Sequence, residues 1–183
     1  MEGEMANARR RAQRERVWEW VKSIGLAVLL ALGIRTAVVE AFVIPSGSME
    51  PTLQIGDRVL GNKFWFWFAR PHRQDIVIFS PPTSAQLAAG ALIKRVIAVE
   101  GDVVEVRDSQ LFVNGTPVAE PYLKERPQYY LPPTPVPPGM LFVLGDNRNS
   151  SYDSHAWGYV PQSNLKAKAF VRYWPLNRIG LLQ

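Results

Sequence analysis

The chain of 183 residues contains no cysteine. Disulfides, thiol nucleophiles and cysteine-ligated zinc or iron–sulfur centres are thereby excluded, and the redox compartment is left open. Only two histidines are present, His72 and His155, too few for a histidine-rich metal centre, so neither a metal nor another cofactor is expected. A dense basic run is missing too. The net charge of +5 divides into +2 over residues 1–22 and +3 over the rest, which argues against nucleic acid as a partner. The longest uncharged apolar stretch, Ile24 to Ile34, has 11 residues and as a helix reaches about 16 Å, short of a bilayer core of ~30 Å. From Asp57 onward no helix-period pattern persists beyond about two turns, and no internal repeat is visible.

What is present falls into three parts: a basic tail over residues 1–16, an apolar segment over 17–39, and a turn-rich domain over 40–183. Counted from Val17 to Val39 the segment is about 34 Å long as a helix. It spans if Lys22 and Arg35 extend toward opposite interfaces while Trp18 and Trp20 lie at headgroup level. One transmembrane helix is expected, with a lipid bilayer as partner; a buried soluble helix and a cleavable signal peptide are the competing readings. Cleavage is disfavoured because no clean Ala-x-Ala site precedes Ala41, and a cut there would strip the residues that hold the bend following it. The arginines before the segment orient the N-terminus toward the cytoplasm and the domain away from it.

The bend is Ile44-Pro45-Ser46-Gly47-Ser48-Met49-Glu50-Pro51-Thr52-Leu53. Two prolines fix φ and Gly47 permits conformations other residues avoid, so Ser46 and Ser48 sit on a stiff turn able to present a nucleophile. The same residues also make ordinary surface turns, and a base must come from elsewhere. Short strands are expected at Arg58 to Lys63, Gln74 to Phe79, Leu92 to Glu100, Val103 to Val106, Gln110 to Val113, Met140 to Leu144 and Phe170 to Trp174. Asn114-Gly115 is the strongest hairpin signal and favours a type I′ turn. The five aromatics Phe64 to Phe68 read either as a core strand covered on both faces or as a loop dipping into lipid. Pro132 to Gly139 lacks enough N–H donors for a ladder and reads as an extended connector. Gly145 to His155 is a polar loop whose side chains bond to nearby backbone.

Lys94 stands within the apolar run Ala91 to Ile97. Facing water it is an ordinary lysine; buried, its pKa falls by up to ~3–5 units from about 10.4, which makes a neutral amine able to deprotonate a serine. A Ser48/His155/Asp153 triad is the rival arrangement, disfavoured because Asp153 and His155 lie two apart in one loop, where direct pairing is awkward.

Together these residues resemble the bacterial type I signal peptidases, membrane-bound Ser/Lys endopeptidases. The matching motifs are Ser46 to Leu53, Gly56-Asp57, Asp75 to Phe79, Lys94 to Ile97 with Gly101-Asp102, and Gly145 to Arg148 through Ser151, Asp153 and Trp157-Gly158. The resemblance implies a mainly β fold: an antiparallel catalytic domain with a β-ribbon extension, after one transmembrane helix. It implies a nucleophile at Ser48, a general base at Lys94, and an oxyanion site from the Ser46 hydroxyl and the Ser48 N–H. Ser151 would orient the Lys94 ammonium, with Asp146, Arg148 and Asp153 bracing the loop. Phe42, Ile44, Met49, Leu53, Ile78, Leu92 and Ile93 would line pockets for small residues at P1 and P3 of a secretory preprotein, bound as an added strand. The membrane would be the cell membrane or an internal one such as a thylakoid. The chain departs from the family in having His155 where Arg is frequent, Asn149-Ser150 where Asp-Asn is frequent, and Glu100 where Pro is common. Two alternatives are a self-cleaving repressor-type Ser/Lys protease, which lacks support because no DNA-binding helix-turn-helix is visible, and a membrane-tethered β module that binds a protein partner without chemistry.

Overall fold

The computed structural model describes residues 14, 16–30, 33, 38–87 and 90–182. It divides at Val38/Val39 into two units. In the first, residues 16–30 form a helix, α1, whose apolar side chains are exposed, Trp20 and Leu29 among them. Among the described residues no helix is long and apolar enough to cross a membrane. Residues 31, 32 and 34–37 of the expected span lie outside the described residues.

The second unit is mainly antiparallel β, as the sequence leads one to expect. Its strands are β1 (Val39–Val43), β2 (Arg58–Asn62), β3 (Ile76–Phe79), β4 (Leu92–Val99), β5 (Val103–Arg107), β6 (Gln110–Val113), β7 (Thr116–Pro117), β8 (Leu131–Pro135), β9 (Met140–Leu144), β10 (Val160–Pro161), β11 (Leu165–Trp174) and β12 (Gly180–Leu181). One sheet runs β1-β2-β11-β3-β4-β9-β10, with β12 beside β11; the other runs β7-β6-β5-β8. The reason β3 lies inside is its composition: Ile76, Val77, Ile78 and Phe79 are all buried, as a strand covered on both faces requires. Asp102 secures the passage from β4 into β5, accepting from Arg73 Nε at 2.8 Å, Asn114 Nδ2 at 3.0 Å and Val99 N at 2.9 Å.

Three apolar clusters make the core. One joins the two sheets through Ile97, Phe142 and Leu144 on one side and Val104, Val106 and Leu111 on the other. The second gathers Ile44, Met49 and Leu53 from the bend against Val59, Ile76 and Ile78. The third lies around Val77, Phe79, Val96 and Trp157. Met49 and Leu53 are fully buried, and each contributes ~2 kcal/mol toward holding the bend to the sheet.

Several expectations need correction. Phe64 to Phe68 is not a core strand: Trp65–Phe68 is a short helix, α2, with Trp67 72% and Phe68 75% exposed. Its start is fixed by Asn62 Oδ1, which accepts from Phe64 N and Trp65 N, so the chain turns before a strand can extend. The proline stretch is no free connector either, since β8 pairs with β5 at Val103↔Pro135, Val104↔Thr134 and Val106↔Leu131. It does so as the outer strand, where missing donors leave no partner unsatisfied. The hairpin at Asn114-Gly115 forms with both residues at positive φ, but so does one at Asp108-Ser109, between β5 and β6.

Candidate active site

Ser48 lies in a single 3₁₀ turn, Gly47–Met49, directly after the extended Ser46. The loop carrying it is closed at its neck by Ile44 N to Asp57 O and Gly56 N to Ile44 O, each 2.9 Å. With Met49 and Leu53 turned into the core, the half-buried Ser48 side chain is left at the surface of the bend. Ser46 is exposed, and its hydroxyl makes no capping bond.

Lys94 lies 46 residues away in the chain. β4 carries it beside β3, where the register Val77↔Lys94 and Phe79↔Leu92 puts Lys94 on the face of the third core cluster. The side chain is only 3% exposed. Its Nζ is 2.5 Å from Ser48 Oγ. Burial lowers its pKa from 10.5 to about 8, against the opposing pull of the Asp153 and Asp146 carboxylates. A lysine so placed is neutral in an appreciable fraction of molecules near pH 8 and within reach of the hydroxyl proton.

The loop after β9 braces the bend that carries Ser48. Asp146 is fully buried and receives Arg95 through Nε at 2.9 Å and Nη2 at 2.7 Å, with Thr52 Oγ1 at 2.6 Å. Asn147 donates from its N to Ser48 O and from Nδ2 to Gly47 O, both at 3.1 Å, and so fixes the turn that carries Ser48. Arg148 is buried with its guanidinium on Glu120, at 2.8 Å for Nη1, while Nε reaches Gly145 O. Asp153 accepts from Gly145 N at 2.8 Å and from His155 N at 3.2 Å, capping the short helix α3 (Ser154–Trp157).

The pairing of Asp153 with His155, read as awkward from the sequence, is made: His155 Nδ1 lies 2.7 Å from Asp153 Oδ1. A residue that caps a helix turns its carboxylate back over the next two residues, which is what brings the ring to it. The imidazole also stacks on Tyr129 with centroids 4.4 Å apart. Burial first, and the Asp153 charge second, push the Tyr129 phenol up, so it stays protonated.

Ser151 is brought to the site but not to a partner. Among the described residues its buried hydroxyl has none. It lies against Gly145, which in turn is packed against the Ser48 carbonyl. Of the apolar candidates, Ile44, Met49, Leu53 and Ile78 form one cluster with Phe42 and Ile93 against it, while Leu92 packs in the third cluster, across the sheet. Among the described residues no group of three or more His, Asp or Glu side chains could hold a metal ion.

Sequence reading missed Arg95, Thr52, Asn147 and Glu120. Arg95, Thr52 and Asn147 fall inside the quoted motifs and were findable as polar residues flanking the reactive ones; Glu120 has no signal, since only the tertiary fold sets it beside Arg148. The residues that depart from the family pattern are bonded as well. Asn149 accepts from Gln128 N at 2.8 Å and donates to Arg126 O at 3.1 Å, and Glu100 receives Arg70 and Gly139 N.

A family model described as signal peptidase, peptidase S26, matches residues 17–174. "Signal peptidase I" of Leptolyngbya laminosa is 48% identical over 168 residues, 90% of this chain and 83% of its own length. "Probable thylakoidal processing peptidase 2, chloroplastic" of Arabidopsis thaliana is 45% identical over 166 residues, 88% of this chain and 45% of its own. A crystal structure of a signal peptidase I from Enterococcus faecalis is 32% identical, covering 55% of this chain and 97% of its own, with a TM-score of 0.48. The chain belongs to the signal peptidase family, peptidase S26.

Proposed function

We propose that the protein is a membrane-bound serine endopeptidase that removes N-terminal signal peptides from translocated preproteins through a Ser48/Lys94 dyad. The observation that carries the reading is the 2.5 Å approach of a buried lysine amine to Ser48 Oγ. Neutral Lys94 takes the hydroxyl proton as Ser48 attacks the scissile carbonyl, and the ammonium returns it to the leaving amine. The Ser48 N–H and the exposed Ser46 hydroxyl face the developing oxyanion, where one such donor is worth ~3–4 kcal/mol. Asp146, Arg148 and Asp153 hold the loop, and Ser151 supplies a hydroxyl for the ammonium once formed. The Asp153–His155 contact is one that a triad would also use, so what favours the dyad is that Ser48 Oγ meets Lys94 Nζ, at 2.5 Å. For a non-catalytic β module, Ser48 and Lys94 would be surface residues, and the burial of Lys94 speaks against that.

Mixing the purified chain with a secretory preprotein and following the shortened product tests this directly, with Ser48→Ala as the inactive control. A substrate with Ala at P1 and P3 is expected to be cut, and one with Phe at P1 refused, because Met49, Leu53 and Ile44 are packed and cannot retreat. Equal cleavage of the two would remove the specificity assignment. The acidic limb of kcat/KM is expected near pH 8, where Lys94 loses its proton, and a limb near ~6.5 would point to a histidine base instead.

Residues 17–39 form the single span in this reading, residues 1–16 stay in the cytoplasm, and the peptidase domain from residue 40 acts outside it, at the cell membrane or a thylakoid. The exposed aromatics of α2 dip into the interface. A chain shortened to residues 38–183 is then expected to keep activity and still float with lipid vesicles, and Trp67→Ser with Phe68→Ser to abolish the flotation. A shortened chain indifferent to lipid would refute the role of α2.

A further inference from the structure

We infer that Arg172 and Arg178, from the C-terminal end of the fold, are positioning residues for the Ser48 bend. The inference rests on Ser48 being the nucleophile. Asn147 holds the first half of the bend through the carbonyls of Gly47 and Ser48, and from the same loop Asp146 meets the second half at the Thr52 side chain. The second half is held from β11 and the turn Leu176–Arg178. Arg172 Nη1 donates to the Thr52 carbonyl at 2.6 Å, and Arg178 Nη2 approaches the Pro51 carbonyl at 3.5 Å. Both guanidiniums share one anion: Arg178 Nη1 lies 3.0 Å from Asp57 Oδ1 and Arg172 Nη1 3.7 Å from Oδ2. Asp57 is itself buried and accepts from Gln54 N at 2.8 Å, so its carboxylate closes the same loop from inside. Arg172 Nε then donates to the Arg178 carbonyl, which locks the two arginines to each other.

Two like charges this close repel. Partial burial first, and the Arg178 charge second, hold the Arg172 guanidinium below its ordinary range, with Asp57 opposing. An arrangement chosen for stability alone has no need of the second cation, since a partly exposed ion pair contributes ~0–1 kcal/mol. What the second cation adds is direction. Each guanidinium is a rigid fork, and here the forks point at two successive carbonyls three and four residues after Ser48. Leu182 completes the grip by packing on the cluster that contains Met49 and Leu53, with its N–H on Phe170 O at 3.0 Å. The bend is thus clamped at both shoulders, by Asn147 before the reactive oxygen and by the arginine pair after it. Displacing a reacting group by about 1 Å costs on the order of 10²-fold in rate, so loosening one shoulder is expected to appear in turnover and not in substrate affinity.

The test uses the full chain in detergent with a preprotein bearing Ala at P1 and P3. Ser48→Ala must be inactive; cleavage by that variant would end the nucleophile reading and the clamp with it. Given an inactive Ser48→Ala, Arg172→Ala and Arg178→Ala are expected to lower kcat by roughly 10–100-fold with KM within about twofold. The acidic limb should stay in place, because the clamp touches the nucleophile's turn and not the base. Arg178→Lys, which keeps the charge but not the fork that spans Asp57 and the Pro51 carbonyl, should regain little of the loss, and Arg178→Ala combined with Asp57→Asn should lose no more than the worse single change. Urea midpoints are measured alongside, and if Arg178→Ala does not fold, Arg178→Gln and Arg178→Lys carry the comparison. Unchanged kcat in the folded variants, a rise confined to KM, or additive losses would each overturn the clamp.

Discussion

Lys94→Met is expected to cleave nothing at any pH and yet to be the more stable protein at pH 7. Lys94 is 3% exposed, and the fold depresses its pKa from 10.5 to about 8. The unfolded chain therefore binds the proton more tightly than the native one, so the fold is penalised wherever Lys94 is charged in both states. That penalty is fully present below about pH 8, shrinks as the pH rises through the interval, and is gone above about 10.5. A shift of this size corresponds to about 3 kcal/mol at neutral pH, which an apolar side chain of similar length does not incur. Urea unfolding of wild type and Lys94→Met at pH 7 and pH 10.5 measures it. The gap should be large at the lower pH and should close at the higher one. A variant no more stable than wild type at pH 7 would show that Lys94 is not desolvated, and an active one would show that it is not the base.

The second large effect is expected at Gly145. A methyl group there would overlap Ser151 Oγ and the Ser48 carbonyl oxygen, and would stand only 2.6 Å from Ser151 Cβ. The serine hydroxyl can rotate away, but the Ser48 carbonyl belongs to the backbone of the 3₁₀ turn Gly47–Met49 and is fixed by Asn147. Gly145→Ala must then move the turn or the loop. Loss of ~10²-fold or more in kcat/KM is the expected outcome, with Lys94 still titrating as before. Activity within about twofold of wild type would mean that the two chains do not approach each other as described.

Much of the site could be read from the residues because its chemistry requires particular types. A serine between Gly47 and Pro51 and a lysine inside an apolar strand are conspicuous, and Asn114-Gly115 announces its turn because few residues accept positive φ. What stayed hidden depended on distance in sequence or on competition between local rules. Arg95 and Asp146 are 51 residues apart and Arg148 and Glu120 are 28 apart, so no periodicity links them. Asp108-Ser109 forms its hairpin, in register with the Arg107–Gln110 pair, with both residues at positive φ and without the glycine that marks Asn114-Gly115. The Asp153–His155 contact depends on Asp153 capping a helix, which two polar residues in a loop sequence do not announce. Of the two readings of Phe64 to Phe68, the core strand gives way because Asn62 at their start directs a helical turn.

The proline-rich strand β8 has a bearing on how this protein keeps company with its clients. A sheet end with free N–H and C=O groups invites any extended chain to join it, and a signal peptidase acts on extended chains. In the smaller sheet one margin is β8, in which Pro132, Pro133 and Pro135 offer no donors, and the other is β7, two residues long and ending in Pro117. Neither margin offers the full row of donors that an added strand needs, so an extended chain finds little to pair with along this sheet.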